Sequence, residues 1–125
     1  MGQKFLHAAE VEVDSQNRII PTPATVAPRT TVVTVTAAGL TLNALIAAAR
    51  AAEAADQKVV LATTRKVTLI IAAAAVITWT TGGAAPDANS TPLPVPGLEM
   101  IGTATSLAGL RFFAANVTMS IVEEG

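Results

Sequence analysis

Three stretches of the sequence decide the fold: AVITWTTGGAAPD at residues 75–87, LEMIG at residues 98–102 and LRFFAANVTMSIV at residues 110–122. Each contains β-branched or aromatic residues beside a turn-forming group, which is typical of short strands separated by turns. We expect loops over residues 84–97 and 102–109 because proline, glycine and small polar residues gather there. The pattern predicts a small antiparallel β domain.

Two turn signals lie inside these stretches. Gly82-Gly83 follows a predicted strand over residues 76–80. Ala114-Ala115-Asn116 marks either a turn or a bulge in the last stretch, which therefore forms one or two strands.

Upstream of these stretches the sequence predicts one helix. Apolar residues recur at helical spacing over residues 42–56. Either Thr41 or Asn43 serves as the N-cap. Two further predicted strands, at residues 59–62 and 67–71, form either a hairpin or one strand interrupted by a short loop.

The first thirty residues differ from the rest of the chain. Three prolines fall between positions 21 and 28, and each removes a backbone donor and restricts the residue before it. We therefore expect an extended N-terminal arm over residues 1–30 and a β-sandwich domain over residues 31–125. Residues 31–36 (TVVTVT) predict its first strand. The predicted fold class is mainly β: a small antiparallel, jelly-roll-like β-sandwich with one short helix.

The arm carries apolar side chains that it cannot bury alone, namely Phe5, Leu6, Ile19 and Ile20. They either dock on a neighbouring subunit, or the arm is a free tail of the kind found at many chain termini. The first alternative makes these four residues candidate interface residues.

Composition points to contacts between subunits. Apolar residues make up 51% of the 125 residues, but aromatic residues only 3% and charged residues 14%, with a net charge of −1. Mean hydropathy is +0.53. Exposed alanine and valine surface is most simply covered by other subunits, which predicts a homo-oligomer, although alanines in an ordinary helix or in tight β packing explain part of it. The low charge argues against a nucleic-acid partner. The longest apolar run, residues 69–77, is too short for a membrane helix of about 20 residues.

Chemically reactive residues are scarce. The chain has no cysteine or tyrosine, which excludes disulfides and thiolate metal sites, and its only histidine is His7 in the arm. Asp87 lies in a predicted turn, and Glu123-Glu124 reads as an exposed terminal charge pair. The sequence therefore predicts no catalytic, cofactor or metal site and a protein that is not an enzyme.

Two residues of the domain are candidate interface residues. Trp79, the single tryptophan, is either a core or seam aromatic or a stacking platform for a sugar, with the loop over residues 84–97 as its rim. Arg111 either anchors an ion pair between subunits or lies solvated on a strand.

The three stretches resemble small virion proteins of tailed bacteriophages. The similarity is carried by VITWTTGGAAPDA at residues 76–88, GLEMIG at residues 97–102 and LAGLRFFAA at residues 107–115. Those proteins share an aromatic strand, a D-G-x-x-P-T turn, a short strand, a Leu-Arg-Phe-Ile-Ala strand and a closing strand. Here Gly82-Gly83 replaces the acidic-Gly turn, and no aromatic residue ends the last strand.

This resemblance spans roughly residues 40–122 and implies a domain that decorates or cements a capsid, or belongs to a tail or neck. The implied partners are the major capsid protein or other virion subunits, and the implied location is the virion, assembled in the host cytoplasm. The alternative from the residues is a carbohydrate- or ligand-binding β-sandwich module.

Overall fold

The computed structural model describes residues 27–125, so the predictions for Phe5, Leu6, Ile19 and Ile20 lie outside the described residues. The described part is mainly strand, with two antiparallel sheets, two short α-helices and one 3₁₀ turn. In chain order the elements are β1 (Arg29–Val35), α1 (Leu42–Ala49), the 3₁₀ turn (Ala55–Gln57), β2 (Lys66–Ile71), β3 (Thr78–Thr80), β4 (Thr91–Pro92), β5 (Gly97–Ile101), α2 (Ala104–Ala108), β6 (Arg111–Phe113) and β7 (Val117–Glu124).

The sheets contain four and three strands, in the orders β1-β7-β2-β5 and β4-β3-β6. The closing strand β7 lies between β1 and β2, so Ile121 faces Thr31 on one side and Leu69 on the other. Every pairing in both sheets is antiparallel. The mainly-β class is thereby confirmed, and the jelly-roll-like arrangement stays a prediction.

Both sheets and both helices contribute to one apolar core. Strand residues alternate between inside and outside, so Val33 and Val35 are buried while Val32 and Thr34 are exposed. Phe112 of β6 is the largest fully buried side chain. The buried cluster is Val33, Val35, Leu42, Leu45, Ile46, Val60, Val67, Leu69, Ile71, Ile77, Leu93, Leu107, Leu110, Phe112, Ala114, Met119 and Ile121.

Helix α1 is capped by Thr41, whose Oγ1 accepts a hydrogen bond from a backbone N–H of the first turn at 3.2 Å. The helix ends at Ala49, so the longer helix predicted over residues 42–56 is wrong. Arg50 leaves the helix and donates from Nη2 to Thr30 O and from Nε to Thr31 Oγ1, both at 2.9 Å. These contacts with β1 stop a run of alanines that propensity alone would continue.

The strand predicted at residues 59–62 does not form. Its backbone donors are used by side chains instead of a neighbouring strand: Val60 N donates to Asn43 Oδ1, and Leu61 N donates to Glu123 Oε1, both at 2.8 Å. Satisfied in this way, the segment has no need of a ladder partner.

Two other boundaries differ from the prediction. The strand predicted over residues 76–80 is shorter in the structure: β3 begins at Thr78, because residues 76 and 77 do not pair with a neighbouring strand. The predicted loop over residues 102–109 contains helix α2, whose N-cap is Thr103, accepting from Ser106 N at 3.2 Å. A helix of five residues has too little periodicity to be recognised from sequence.

Residues 114–116, predicted to form either a turn or a bulge, form a bend between two separate strands, with Asn116 at φ 60°. Asparagine tolerates this left-handed conformation better than most residues. The turn joins β6 of the three-stranded sheet to β7 of the four-stranded sheet. It is therefore a crossing between sheets and not the bend of a hairpin.

Glu123 is fully buried, with 0% of its surface exposed, which corrects the prediction of an exposed terminal pair. Its Oε2 accepts from Arg29 Nε at 2.9 Å and lies 2.8 Å from Nη2 of the same side chain. Its Oε1 accepts from Leu61 N at 2.8 Å and from Thr64 Oγ1 at 2.9 Å. A buried carboxylate is tolerated only with such partners, because desolvation of the charge is costly.

Arg29 extends this cluster to the segment after the 3₁₀ turn. Its Nη1 donates to Gln57 O at 2.6 Å and its Nη2 to Val59 O at 2.7 Å. The Arg29–Glu123 pair therefore connects the first strand, the last strand and the segment over residues 57–64.

Substitution Glu123→Gln should lower the free energy of unfolding by about 3–5 kcal/mol, because it leaves the nearly buried charge of Arg29 without its counter-ion. Chemical denaturation measures the change. The matched control is Glu124→Gln, whose side chain is half-exposed beside Lys66 and should cost at most about 1 kcal/mol. Equal losses in the two variants would contradict a special role for Glu123.

Candidate functional site

Trp79 and Arg111 lie on neighbouring strands of the three-stranded sheet. Trp79 of β3 faces Phe112 of β6, and Thr80 faces Arg111. Both candidate side chains are half-buried, and Trp79 packs against the apolar core. The structure thus places two of the six candidate interface residues on neighbouring strands, where the register puts their side chains on opposite faces of the sheet, and the other four lie outside the described residues.

Arg111 connects two loops of its own chain. Its Nε donates to Gly39 O at 2.8 Å and its Nη1 to Gly83 O at 2.9 Å. Both glycines have positive φ, 66° and 71°, a backbone conformation that favours glycine. Arg111 therefore positions the two turns that flank the end of β3.

A pocket of about 370 Å³ lies beside Trp79. It is lined by Trp79, Thr80, Thr81, Asn89, Ser90 and Thr91. The loop over residues 87–91 is held against β3, since Thr78 Oγ1 donates to Asp87 O at 2.6 Å. Asp87 Oδ1 also accepts from Asn89 N at 2.8 Å within the loop. The lining is polar and uncharged.

Trp79 carries an unsatisfied donor. Within residues 27–125, its Nε1 is the only buried side-chain nitrogen or oxygen without a hydrogen-bond partner. A buried N–H in this state costs about 1–3 kcal/mol, so its retention calls for an explanation.

The solvent-facing side of the four-stranded sheet, hereafter the outer face, is the second notable surface. Register places Val32, Ser120 and Ile70 in one row across three strands. The next row is Thr30, Val122 and Thr68. Val32 is 58% exposed and Ile70 45% exposed. These two rows contain no charged side chain on β1, β7 or β2.

Charges on the outer face gather at one end. Lys66 Nζ lies 3.2 Å from Glu124 Oε1 and 3.3 Å from Glu99 Oε2. Hydrogen bonds to Glu124 and then Glu99, together with the attraction of both carboxylates, raise the pKa of Lys66 above its ordinary value of 10.5. Lys66 therefore stays charged at neutral pH, and these three charged side chains border the uncharged rows on β1, β7 and β2.

A groove of about 620 Å³ lies where α1, the segment over residues 59–62 and α2 meet. It is lined by Thr41, Asn43, Val59, Val60, Ala62, Ala104, Thr105, Ala108 and Gly109. None of these residues carries a charge. Sequence reasoning missed the groove because its lining comes from three separate parts of the chain.

Groups typical of metal centres are not clustered in the part of the chain that the structure describes: no three or more His, Asp or Glu side chains are placed to hold an ion there. Among the described helices, none has the length and apolar character to cross a membrane.

The chain matches no protein-family model, no curated protein and no solved structure.

Substitution Arg111→Met should lower the free energy of unfolding by about 1.5–3 kcal/mol, since it removes the charge-assisted bonds to Gly39 and Gly83. The change in free energy is measured by chemical denaturation followed by the fluorescence of Trp79, which lies on the same three-stranded sheet as Arg111. Arg65→Met is the matched control, because Arg65 also donates to carbonyl oxygens, but only to those of Ala62 and Thr64 nearby in sequence. A loss in the control as large as in Arg111→Met would refute the role of Arg111 in connecting distant loops.

Proposed function

We propose that this chain is a non-enzymatic structural protein of a tailed-phage virion, a capsid decoration or cement protein that stabilises the shell through contacts between subunits. The observation that carries the proposal is the outer face, whose two central rows expose β-branched side chains in register and carry no charge on β1, β7 and β2. The resemblance of residues 76–88, 97–102 and 107–115 to small phage virion proteins supports the same conclusion.

The chemistry of the outer face suits packing against another subunit. Threonine and valine present methyl groups on a pleated surface without the entropy loss of long side chains. Burial of such groups contributes about 25 cal/mol per Å² of apolar area. On β1, β7 and β2 no charge has to be desolvated in the central rows, and the one carboxylate in these rows, Glu99 of β5, lies on the edge strand and is paired with Lys66.

The size of the face indicates how it acts. Four strands about 4.8 Å apart, with about five residues each, project an area of about 300 Å². A standard stable interface buries about 800 Å² on each partner. One contact of this kind is weak, and repeated copies on a symmetric shell add through avidity. The proposed partners are the major capsid protein or other virion subunits, including further copies of this chain, in the assembled virion.

The double substitution Val32→Lys/Ile70→Lys should reduce the copies bound per particle about tenfold or more, because binding would then bury uncompensated charge. Copy number on purified particles and light scattering of the free protein measure the effect. Val76→Lys is the control, since Val76 is 69% exposed but lies outside the strands.

Two results would contradict this proposal. One is a double variant that occupies particles as fully as the unsubstituted protein. The other is an unsubstituted protein that remains monomeric at high concentration and does not cosediment with particles.

The pocket beside Trp79 favours a second candidate function, a carbohydrate- or ligand-binding module. Hydroxyl and amide groups line it beside the half-buried indole ring. Neutral sugars offer matching hydroxyl acceptors and apolar ring faces.

For this second candidate, Asn89→Ala should weaken binding of a neutral glycan about tenfold, the loss expected for one hydrogen bond worth about 1.4 kcal/mol. A glycan array identifies the probe, and titration calorimetry gives the affinities. Thr118→Ala, an exposed change on the other sheet, should leave affinity unchanged. A silent array, or equal affinities for Asn89→Ala and the unsubstituted protein, counts against this function.

A further inference from the structure

The groove formed by α1, the segment over residues 59–62 and α2 is larger than the pocket beside Trp79. Its volume of about 620 Å³ lies within the range of about 300–1,000 Å³ found for binding sites. Side chains of Val59, Val60, Ala62, Ala104 and Ala108 give it a lining of methyl groups.

Two of the three polar side chains that line the groove, those of Thr41 and Asn43, are already engaged within the domain, and the third, Thr105, is exposed. Thr41 Oγ1 accepts from Ala44 N at 3.2 Å, and Asn43 Oδ1 accepts from Val60 N at 2.8 Å. The surface left for an occupant is therefore mainly apolar and carries no charge. Such a surface favours a short aliphatic segment over a charged or strongly polar one.

The polypeptide enters the described domain close to this groove. Arg29, at the start of β1, donates from Nη2 to Val59 O at 2.7 Å. Val59 itself lines the groove. The start of β1 thus lies within about the length of one arginine side chain of Val59, which forms one wall of the groove.

The arm has a segment of suitable chemistry within reach. Ile19-Ile20-Pro21 is uncharged and aliphatic, and Ile20 precedes Ala27 by seven residues. Seven residues span up to about 23 Å when extended, more than the separation just described. A tether of this length gives a local concentration in the millimolar range, so modest apolar contact is enough for occupancy.

We propose that this groove binds the Ile19-Ile20-Pro21 segment of its own chain in the free protomer. The segment lays its aliphatic side chains against the alanines of α2 and the valines of the 59–62 segment. The proposal concerns the protomer before any assembly and does not depend on the proposed virion function.

Because the chain contains no cysteine, a crosslinking experiment on the full-length protein tests this directly. The double variant Ile20→Cys/Ala108→Cys, treated with a short bismaleimide at low protein concentration, should give an internally crosslinked monomer. Mass spectrometry of the digested product identifies the bridge. The matched control Ile20→Cys/Ala88→Cys places the second cysteine on an exposed alanine outside the groove and should crosslink at least about tenfold less, given the tethered concentration.

Three outcomes overturn the proposal: no bridge to residue 108, a bridge only between two chains, or equal crosslinking in the control. The second assigns the groove to the arm of a neighbouring copy, and the virion function survives any of the three.

Hydrogen exchange provides a measurement that does not depend on crosslinking chemistry. In the full-length variant Ile19→Asp/Ile20→Asp, amides of Ala104–Ala108 should exchange about tenfold faster than in the unsubstituted protein, because the proposed cover is lost. Amides of β2 should keep their protection, which shows that the domain remains folded. Unchanged exchange in α2 contradicts occupancy of the groove by this segment.

Discussion

The buried carboxylate of Glu123 is the constraint on which the arrangement of the domain depends. One oxygen receives Arg29 from the first strand, and the other receives Leu61 N and Thr64 Oγ1 from the segment after the 3₁₀ turn. A single side chain therefore fixes the ends of β1 and β7 and determines where an otherwise irregular segment lies. Val60, which lines the groove, directly precedes Leu61 in the chain. The hydrogen bond from Leu61 N to Glu123 therefore also helps to position this wall of the groove.

Much of the strand content can be predicted from the sequence, because β-branched residues alternate and turns are marked by glycine, proline and asparagine. The predicted strands are wrong where side-chain oxygens, and not a neighbouring strand, accept the hydrogen bonds of the backbone N–H groups. Residues 59–62 have strand-like composition, but their donors go to Asn43 and Glu123. Likewise, Arg50 ends α1 through bonds to β1 that no local pattern reveals. Contacts of this type join residues that are far apart in sequence, so a local sequence pattern does not predict them.

The surfaces likewise include some that the sequence predicts and some that it does not. The sequence pointed to Trp79 and the loop over residues 84–97, and the structure places Asn89 of that loop beside the indole. The alternation of inward and outward side chains predicts which residues of each strand lie on the outer face. The order in which the strands pair cannot be predicted from any single strand. The groove was invisible because its walls, including Thr41 and Ala108, are distant in sequence. The pocket beside Trp79 and the groove have no charged residue in their linings.

The register of β1 and β7 also determines how the domain responds to mechanical load. Arg29 pairs with Glu123, so the start of the edge strand β1 and the end of its neighbour β7 lie at the same end of the sheet. Tension applied to both ends would open the strands one hydrogen bond at a time, the geometry in which antiparallel strands resist force least. The Arg29–Glu123 ion pair lies at the end of the two strands where this separation would begin.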